Sequence, residues 1–136
     1  NVALVGASPD VMETLRVELP QRITGLNLSF TVDGYQAEEA WPGIEAQLKT
    51  LQPDLVLVAL GVPRQETWSE RVGSGQPGLW MGVGGSFDVW AGTKKRAPGW
   101  MCRFQLEWLY RLIQEPTRWR RMLSLPAFVL DVIRLG

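Results

Sequence analysis

The chain of 136 residues contains no histidine and a single cysteine, Cys102. Without histidine, metal sites with histidine ligands and catalysis by a Ser-His or Cys-His pair are excluded. One cysteine excludes a disulfide within the chain, which fits a reducing compartment. No apolar run approaches the roughly 20 residues that span a bilayer. Hydrophobic residues make up 46% and charged residues 21%, a balance typical of a globular protein.

Net charge is also absent, but only as an average over the chain. Residues 1–93 carry five basic and eleven acidic side chains, a net charge of −6. Residues 94–136 carry nine basic and three acidic side chains, a net charge of +6. Such asymmetry often marks an anionic partner. The sequence therefore predicts an acidic body at 1–93 and a basic tail at 94–136.

The acidic body alternates short apolar runs with segments of helical character. The apolar runs are NVALVG, LNLSFTVDG, PDLVLVALG and GLWMGVGG. The segments between them are SPDVMETLRVEL, AEEAWPGIEAQLKTL and RQETWSERV, and the first has Ser8 as a helix cap. Pro42 either breaks or begins the second helix. This alternation predicts an α/β fold, a Rossmann-like parallel sheet with helices on both faces.

The basic tail has a different pattern. Trp100, Phe104 and Trp108 are four residues apart, which predicts an apolar stripe along a helix. Pro116 and Pro126 are each suited to begin a further short helix. The sequence therefore predicts a basic, amphipathic, helical C-terminal appendage.

Each predicted strand is followed by glycine or by polar residues. Open parallel sheets bind ligands beyond the carboxyl ends of their strands, so these stretches are candidates for one site. The plain alternative is that the glycines only make turns. Neither a dinucleotide fingerprint nor a P-loop is present. The four stretches are Gly6–Ser8, Asp33–Tyr35, Gly61–Glu66 and Gly82–Asp88.

Two polar side chains in these stretches have the chemistry to bind a sugar or a nucleotide. Gln65 can donate and accept hydrogen bonds with sugar hydroxyls, although this segment taken alone favours a solvated first helical turn. Asp88 follows a pair of glycines. Its carboxylate can accept hydrogen bonds from a ribose, a sugar or a base, or it can cap the next turn.

Three arginines in the tail have spacings that can bring them to one side. Arg111, Arg118 and Arg121 are separated by seven and three residues. Paired arginines suit phosphates, and interleaved tryptophan and arginine suit a membrane interface. Nucleic acid and a solvated basic face also fit the charge.

The segments LGVPRQETW, GVGGSFDVWAG, KRAPGW and LEWLYRLIQEPTRWRR, in this order, resemble the WecG/TagA/CpsF family of glycosyltransferases. The resemblance covers nearly the whole chain. It implies an inverting transfer of an N-acetylmannosamine-type sugar from a UDP-sugar to an undecaprenyl-diphosphate-linked acceptor, with no metal or other cofactor. The products are teichoic acid linkage units or other bacterial surface polysaccharides. The alternative is a non-catalytic nucleotide- or phosphate-binding α/β module with a membrane-anchoring tail.

The resemblance also implies a role for each candidate residue. It places Gly6, Tyr35 and Asp88 in the nucleotide-sugar pocket and Gln65 near the transferred sugar and diphosphate. It places the three tail arginines on an appendage that docks on the membrane and closes over the active site. Gln65 is the catalytic candidate. The candidate substrate-binding residues are Gly6, Tyr35, Gln65, Glu66, Asp88, Arg111, Arg118 and Arg121.

The chain departs from the family pattern in two places. Gly6-Ala7 stands where the family often has Gly-Gly. Nothing in the chain matches the segment with the aspartate proposed as general base, so we expect the N-terminal half of the family domain to be missing. We expect a cytoplasmic protein, peripheral at the inner face of the bacterial cell membrane. Its expected partners are the UDP-sugar donor, the lipid-linked diphosphate acceptor and the anionic membrane. We expect no nucleic-acid partner, and whether the protein forms a homo-oligomer stays open.

Overall fold

A computed structural model describes residues 1–94, 97–104, 106–114 and 116 of the chain. The chain forms two compact units, Asn1–Lys95 and Arg96–Gly136. The boundary suggested by charge, after residue 93, lies two residues from this division. The functional assignment of the two parts stays a prediction.

The first unit alternates strands and helices, as its sequence pattern predicts. The four strands form one parallel sheet in the order β2-β1-β3-β4. The predicted α/β fold with a parallel sheet is therefore confirmed. The elements are β1 (Val2–Gly6), α1 (Pro9–Arg22), β2 (Leu28–Val32), a 3-10 turn (Glu38–Ala40), α2 (Trp41–Leu51), β3 (Leu55–Ala59), α3 (Arg64–Gly73), β4 (Leu79–Gly82) and α4 (Ser86–Trp90).

Local signals in the sequence set the helix starts. The Ser8 hydroxyl accepts a hydrogen bond from the Val11 N–H at 3.4 Å, and Pro9 opens α1. Pro42 lies in the first turn of α2, so it helps to begin this helix and does not break it.

Alternate strand residues build two cores on opposite faces of the sheet. One core packs strand residues such as Val56 and Val58 against tryptophans of α2 and α3, Trp41 and Trp68. The other packs Leu4 of β1 against α1 and against Phe87 of α4. The predicted placement of helices on both faces is therefore confirmed.

The face that carries α1 is covered less completely near the amino ends of the strands. There an apolar groove of about 360 Å³ opens between α1 and α4, with Ile23, Leu55, Leu57 and Trp90 among its lining residues. On the edge strand β4 of the same face, Leu79 remains 56% exposed. This groove lies at the opposite end of the sheet from the glycine loops.

In the second unit, two short helices replace the single helical stripe that the sequence predicts. α5 spans Gly99–Arg103 and α6 spans Glu107–Gln114. Trp100 and Trp108 therefore belong to different helices, and the prediction of one stripe through Trp100, Phe104 and Trp108 is wrong. A physical reason is that Glu107 favours a new helix start, because its charge complements the positive helix end.

Other predictions for the tail concern residues beyond the described part of the chain. The body of the helix predicted from Pro116, and the whole helix predicted from Pro126, lie outside the described residues. Within the residues described, none of the helices combines the length and apolar character that crossing a membrane requires.

Candidate functional site

The glycine loops after the four strands meet at the carboxyl edge of the sheet. The Gly34 N–H donates to the Ala7 carbonyl at 2.8 Å, and the Ala7 N–H donates to the Ala59 carbonyl at 2.9 Å. The Val83 N–H donates to the Val58 carbonyl at 2.8 Å. These bonds bring the loops that carry Gly6, Tyr35, Gln65, Glu66 and Asp88 to one edge. The edge includes the point between β1 and β3 where the strand order reverses, the usual ligand crevice of such sheets.

At this edge, the backbone of Gly6 lies close to the backbone of Ala59. Its φ is +113°, and a Cβ there would lie 2.4 Å from the Ala59 carbonyl oxygen. Only glycine fits both the conformation and the space. Ala7 follows in the left-handed region at φ 60°, which a residue with a side chain adopts at some cost. This turn leads the chain from β1 into the amino end of α1 at the carboxyl edge.

Tyr35 extends from the loop after β2. Asp33 forms the turn: one carboxylate oxygen accepts the Tyr35 N–H at 2.9 Å, and the other accepts the Gln36 side-chain amide at 2.7 Å. The Tyr35 side chain is 78% exposed. Its ring is therefore accessible for stacking on a flat ligand. A polar cavity of about 430 Å³ lies beside this turn, lined by Asp33 and Gln36 and by residues of α1 that include Arg16.

Gln65 lies inside the protein, in the first turn of α3. It is 5% exposed, so the solvated turn that the sequence left open does not describe this side chain. Its Oε1 accepts the Gly84 N–H at 3.2 Å, and its Nε2 donates to Glu66 Oε1 at 2.8 Å. Gln65 thus joins the loop after β3 to the loop after β4.

Two charged neighbours of Gln65 face outward at the same turn. Arg64 and Glu66 are both exposed. The Arg64 guanidinium lies 5.1 Å from the centre of the Trp41 ring, a distance at which a cation and an aromatic face attract. A cation, a carboxylate and a buried amide therefore share this part of the edge.

Asp88 lies in α4, just beyond the glycines. Its carboxylate is partly exposed and lies 3.6 Å from Lys94 Nζ. Its backbone carbonyl accepts hydrogen bonds from the Thr93 and Lys94 N–H groups and from the Thr93 hydroxyl. The carbonyl, rather than the carboxylate, thus closes the following turn, and the carboxylate can bind a polar ligand.

The three tail arginines are not brought together by the described geometry. Arg111 belongs to α6, but its side chain is not described, and Arg118 and Arg121 lie outside the described residues. Their convergence on one ligand stays a prediction. Within the described ranges, no cluster of three cysteine or acidic side chains is placed to hold a metal ion.

Sequence reasoning missed the bond between Gln65 and Gly84, although a signal was present. Gln65, Trp68 and Val72 are buried and are three and four residues apart, the spacing of one helix face. If RQETWSERV is placed on a helix, this spacing puts Gln65 on the buried face together with Trp68 and Val72. Its partner Gly84 has no comparable signal, because the two are 19 residues apart.

Comparisons with known proteins agree with the quoted motifs. A family model described as "Glycosyl transferase WecG/TagA/CpsF family" matches residues 1–135. A Bacillus subtilis (strain 168) protein is 39% identical over 135 residues, 98% of this chain and 52% of the relative. A Bacillus spizizenii protein is 37% identical and a Staphylococcus aureus (strain MW2) protein 33% identical, over the same shares. All three are named N-acetylglucosaminyldiphosphoundecaprenol N-acetyl-beta-D-mannosaminyltransferase, and the chain spans about half their length.

Proposed function

The chain belongs to the WecG/TagA/CpsF family of glycosyl transferases, as its motifs predicted, and on this premise we propose that it forms the donor-binding part of such an enzyme. The proposed reaction moves an N-acetylmannosamine-type sugar from UDP to an undecaprenyl-diphosphate-linked acceptor. The product would enter teichoic acid or another surface polysaccharide. The names of the relatives support both the sugar and the acceptor.

The observation that carries this proposal is the meeting of four glycine or polar loops at the carboxyl edge. Gly6 brings the end of β1 close to the Ala59 backbone and turns the chain into α1, whose amino end carries the positive helix dipole that suits a diphosphate. The exposed Tyr35 ring can stack on uracil, and Asp88 can accept a hydrogen bond from uracil or ribose. The uracil, the ribose and the diphosphate of a UDP-sugar thus each have a candidate counterpart at this edge.

The proposed chemistry is a single displacement that inverts the anomeric carbon. The acceptor hydroxyl attacks this carbon while the bond to the UDP oxygen breaks, and UDP leaves with the electron pair. A general base takes the hydroxyl proton. We expect this base from the part of the family's length that the chain does not span, because nothing in the chain matches the family segment with the aspartate proposed as general base. Gln65 and Glu66 then border the donor site.

The basic tail is proposed to serve the acceptor. Its net charge of +6 attracts anionic lipid, and each cation near such a surface contributes about 1 kcal/mol. Arg111, Arg118 and Arg121 would contact the acceptor diphosphate at the inner face of the membrane. Removing residues 96–136 should release the protein from anionic vesicles in a sedimentation assay. Retention of the shortened protein on vesicles would remove this role.

The alternative, a non-catalytic nucleotide-binding module, predicts the same donor binding without transfer. The native protein that contains this chain should transfer the sugar to a lipid-linked diphosphate acceptor in a radiolabel assay. Donor binding with no transfer by that protein would favour the module.

Donor binding itself is tested by calorimetry with UDP. Asp88→Ala should weaken UDP binding by about 1–3 kcal/mol if a buried hydrogen bond is lost. Asp54→Ala is a matched control, because Asp54 is an exposed aspartate that directly precedes β3, at the amino ends of the strands. Equal UDP affinity in the wild type and Asp88→Ala would remove Asp88 from the site.

A further inference from the structure

We propose that Gln65 is a positioning residue, whose buried amide fixes the glycine loop after β4 and thereby the placement of Asp88. The inference deepens the proposed function, since it assumes that this loop borders the donor. Its structural part concerns only the bond between Gln65 and Gly84, which can be measured without any nucleotide.

Among the hydrogen bonds given by the described residues, one joins the main chain of the loop from Gly82 to Ser86 to a side chain outside it. Its first attachment is the Val83 N–H on the Val58 carbonyl at 2.8 Å, and its last is the Ser86 N–H on the Val83 carbonyl at 3.1 Å. Between them, the Gly84 N–H donates to Gln65 Oε1 at 3.2 Å. One side chain from α3 therefore holds the middle of the loop.

Packing does not replace this bond at Gly84. The residue has a φ of +51°, and a Cβ built there would meet no described atom within 4 Å. A glycine without close neighbours has access to many conformations, and a hydrogen bond to a fixed group limits them. Gln65 is such a group, because it is 5% exposed and lies in the same helical face as Trp68.

Gly82 provides the space in which the Gln65 amide lies. A Cβ at Gly82 would fall 2.7 Å from Gln65 Nε2, closer than real Cβ contacts allow, and 3.1 Å from Gln65 Cδ, which is tighter than most of them. The backbone of Gly82 does not have a positive φ. Glycine at 82 therefore leaves room for the Gln65 amide in its present position, and a side chain there would displace the amide.

Glu66 sets which end of the amide faces the loop. Gln65 Nε2 donates to Glu66 Oε1 at 2.8 Å, so the amide oxygen is directed to the Gly84 N–H. The reverse orientation would place an NH₂ group against an N–H group and an oxygen against a carboxylate, and neither contact is a hydrogen bond.

The consequence for function passes through α4. This helix begins at Ser86, two residues after Gly84, and Asp88 lies in its first turn. A loop that loses its middle attachment samples more positions, so Asp88 reaches its ligand less often. Gln65 can in this way affect donor binding without touching the donor.

The first test is amide hydrogen exchange in the chain without nucleotide. In Gln65→Ala, exchange at Gly84 should rise by about tenfold, the loss expected when one buried hydrogen bond is removed. The Gly34 amide, which donates to the Ala7 carbonyl, should be unchanged and serves as the internal reference. Unchanged exchange at Gly84 relative to Gly34 would overturn the proposal.

A second test uses the contact between Gly82 and Gln65. Gly82→Ala should displace the amide and raise Gly84 exchange as Gln65→Ala does. In the double variant, the added methyl group enters the space that Gln65 leaves, so the double variant should match Gln65→Ala alone. Additive effects of the two changes would contradict the packing that the proposal requires.

A third test is rescue by a conservative variant. In Gln65→Glu, the protonated acid keeps an acceptor oxygen for Gly84 and a donor for Glu66, whereas the ionised acid faces the Glu66 carboxylate. Burial and that carboxylate favour the protonated form. The ratio of Gly84 to Gly34 exchange should therefore match the wild type at about pH 5 and rise by about pH 8. A ratio that does not change with pH would oppose the positioning role.

UDP titrations of the same variants separate this proposal from the donor site. If wild type binds UDP and Gln65→Ala binds it several-fold more weakly with faster Gly84 exchange, both stand. If no UDP binds but the Gly84 amide exchanges faster in the variants as expected, the donor site fails and the positioning of the loop stands. If UDP binds but the exchange rate of the Gly84 amide is the same with and without Gln65, the positioning role fails and the donor site stands.

Discussion

The glycine loops after β1 and β4 reach the same edge of the sheet but are fastened by different means. The loop after β1 is held by main-chain bonds, from the Ala7 N–H to Ala59 and from the Gly34 N–H to the Ala7 carbonyl. The middle of the loop after β4 is held by the side chain of Gln65. A loop fastened by backbone depends on the sheet itself, whereas a loop fastened by one side chain can loosen while the sheet stays folded.

Gly6→Ala should show the largest effect, because it breaks the backbone-fastened loop. The added Cβ would lie 2.4 Å from the Ala59 carbonyl oxygen, and the residue would keep a positive φ. We expect a loss of more than about 3 kcal/mol in the free energy of unfolding, measured by urea denaturation. Gly25→Ala is the matched control, since Gly25 has φ +81° and no described atom within 4 Å of its Cβ position. Equal losses in both variants would show that the contact with Ala59 is unimportant.

Gln65→Ala should affect function more than stability, which is the signature of the side-chain-fastened loop. We expect turnover to fall by about tenfold or more in the native protein that contains the chain, with about 1–3 kcal/mol lost in the free energy of unfolding. Gln47→Ala, at an exposed position on α2, should change neither quantity. Normal turnover in Gln65→Ala would leave the loop after β4 without a role in the reaction. The measurements are a transfer assay and a urea denaturation curve.

Ser8→Ala should have a smaller effect at the loop after β1. The Ser8 hydroxyl accepts the Val11 N–H at 3.4 Å, and loss of a helix cap costs about 1 kcal/mol. The main-chain bonds of Ala7 remain, so the exchange of the Gly34 amide should not change. Faster exchange at Gly34 would mean that the first loop also depends on a side chain.

The smallest effect is expected at the ion pair that joins α2 to α3, the helix that carries Gln65. The hydrogen bond from Arg71 lowers the pKa of Glu45, and the Trp68 indole N–H contributes in the same direction. Because the folded-state pKa is below the unfolded one, this stabilisation is present above the unfolded pKa of about 4.3 and is lost as pH falls through the folded pKa.

Glu45→Gln should therefore lose up to about 1 kcal/mol at neutral pH, as partly exposed ion pairs do. The difference from the wild type should disappear in strong acid, as followed by urea denaturation at several pH values. A difference that stayed constant down to low pH would show that charge at Glu45 does not contribute.

Local sequence signals predicted the strands and helices of the first unit but not the order of the strands in the sheet. The period of apolar residues predicted four strands and the intervening helices, Ser8 and Pro9 marked one helix start, and the structure decided that Pro42 begins its helix. In the tail, the same period suggested a stripe through Phe104, but α5 ends at Arg103. A repeat of four residues over so few turns does not exclude a helix end within it.

The candidate site was predictable in its position but not in its contacts. Glycine or polar residues after each apolar run marked the carboxyl edge, since parallel strands end together. The contacts of Gln65 with Gly82 and Gly84 were not predictable, because they join residues 17 and 19 positions apart whose distance is set by the pairing of β3 with β4.

The donor site at the carboxyl edge is tested most directly by an amide NMR titration of the chain with UDP. The expected result is saturable shifts of the Gly6, Gly34, Gly84 and Asp88 amides, with the Asp54 amide at the opposite end of the sheet unchanged. Saturable shifts confined to the amino ends of the strands, or no shift at millimolar UDP, would contradict the assignment of the donor to this edge.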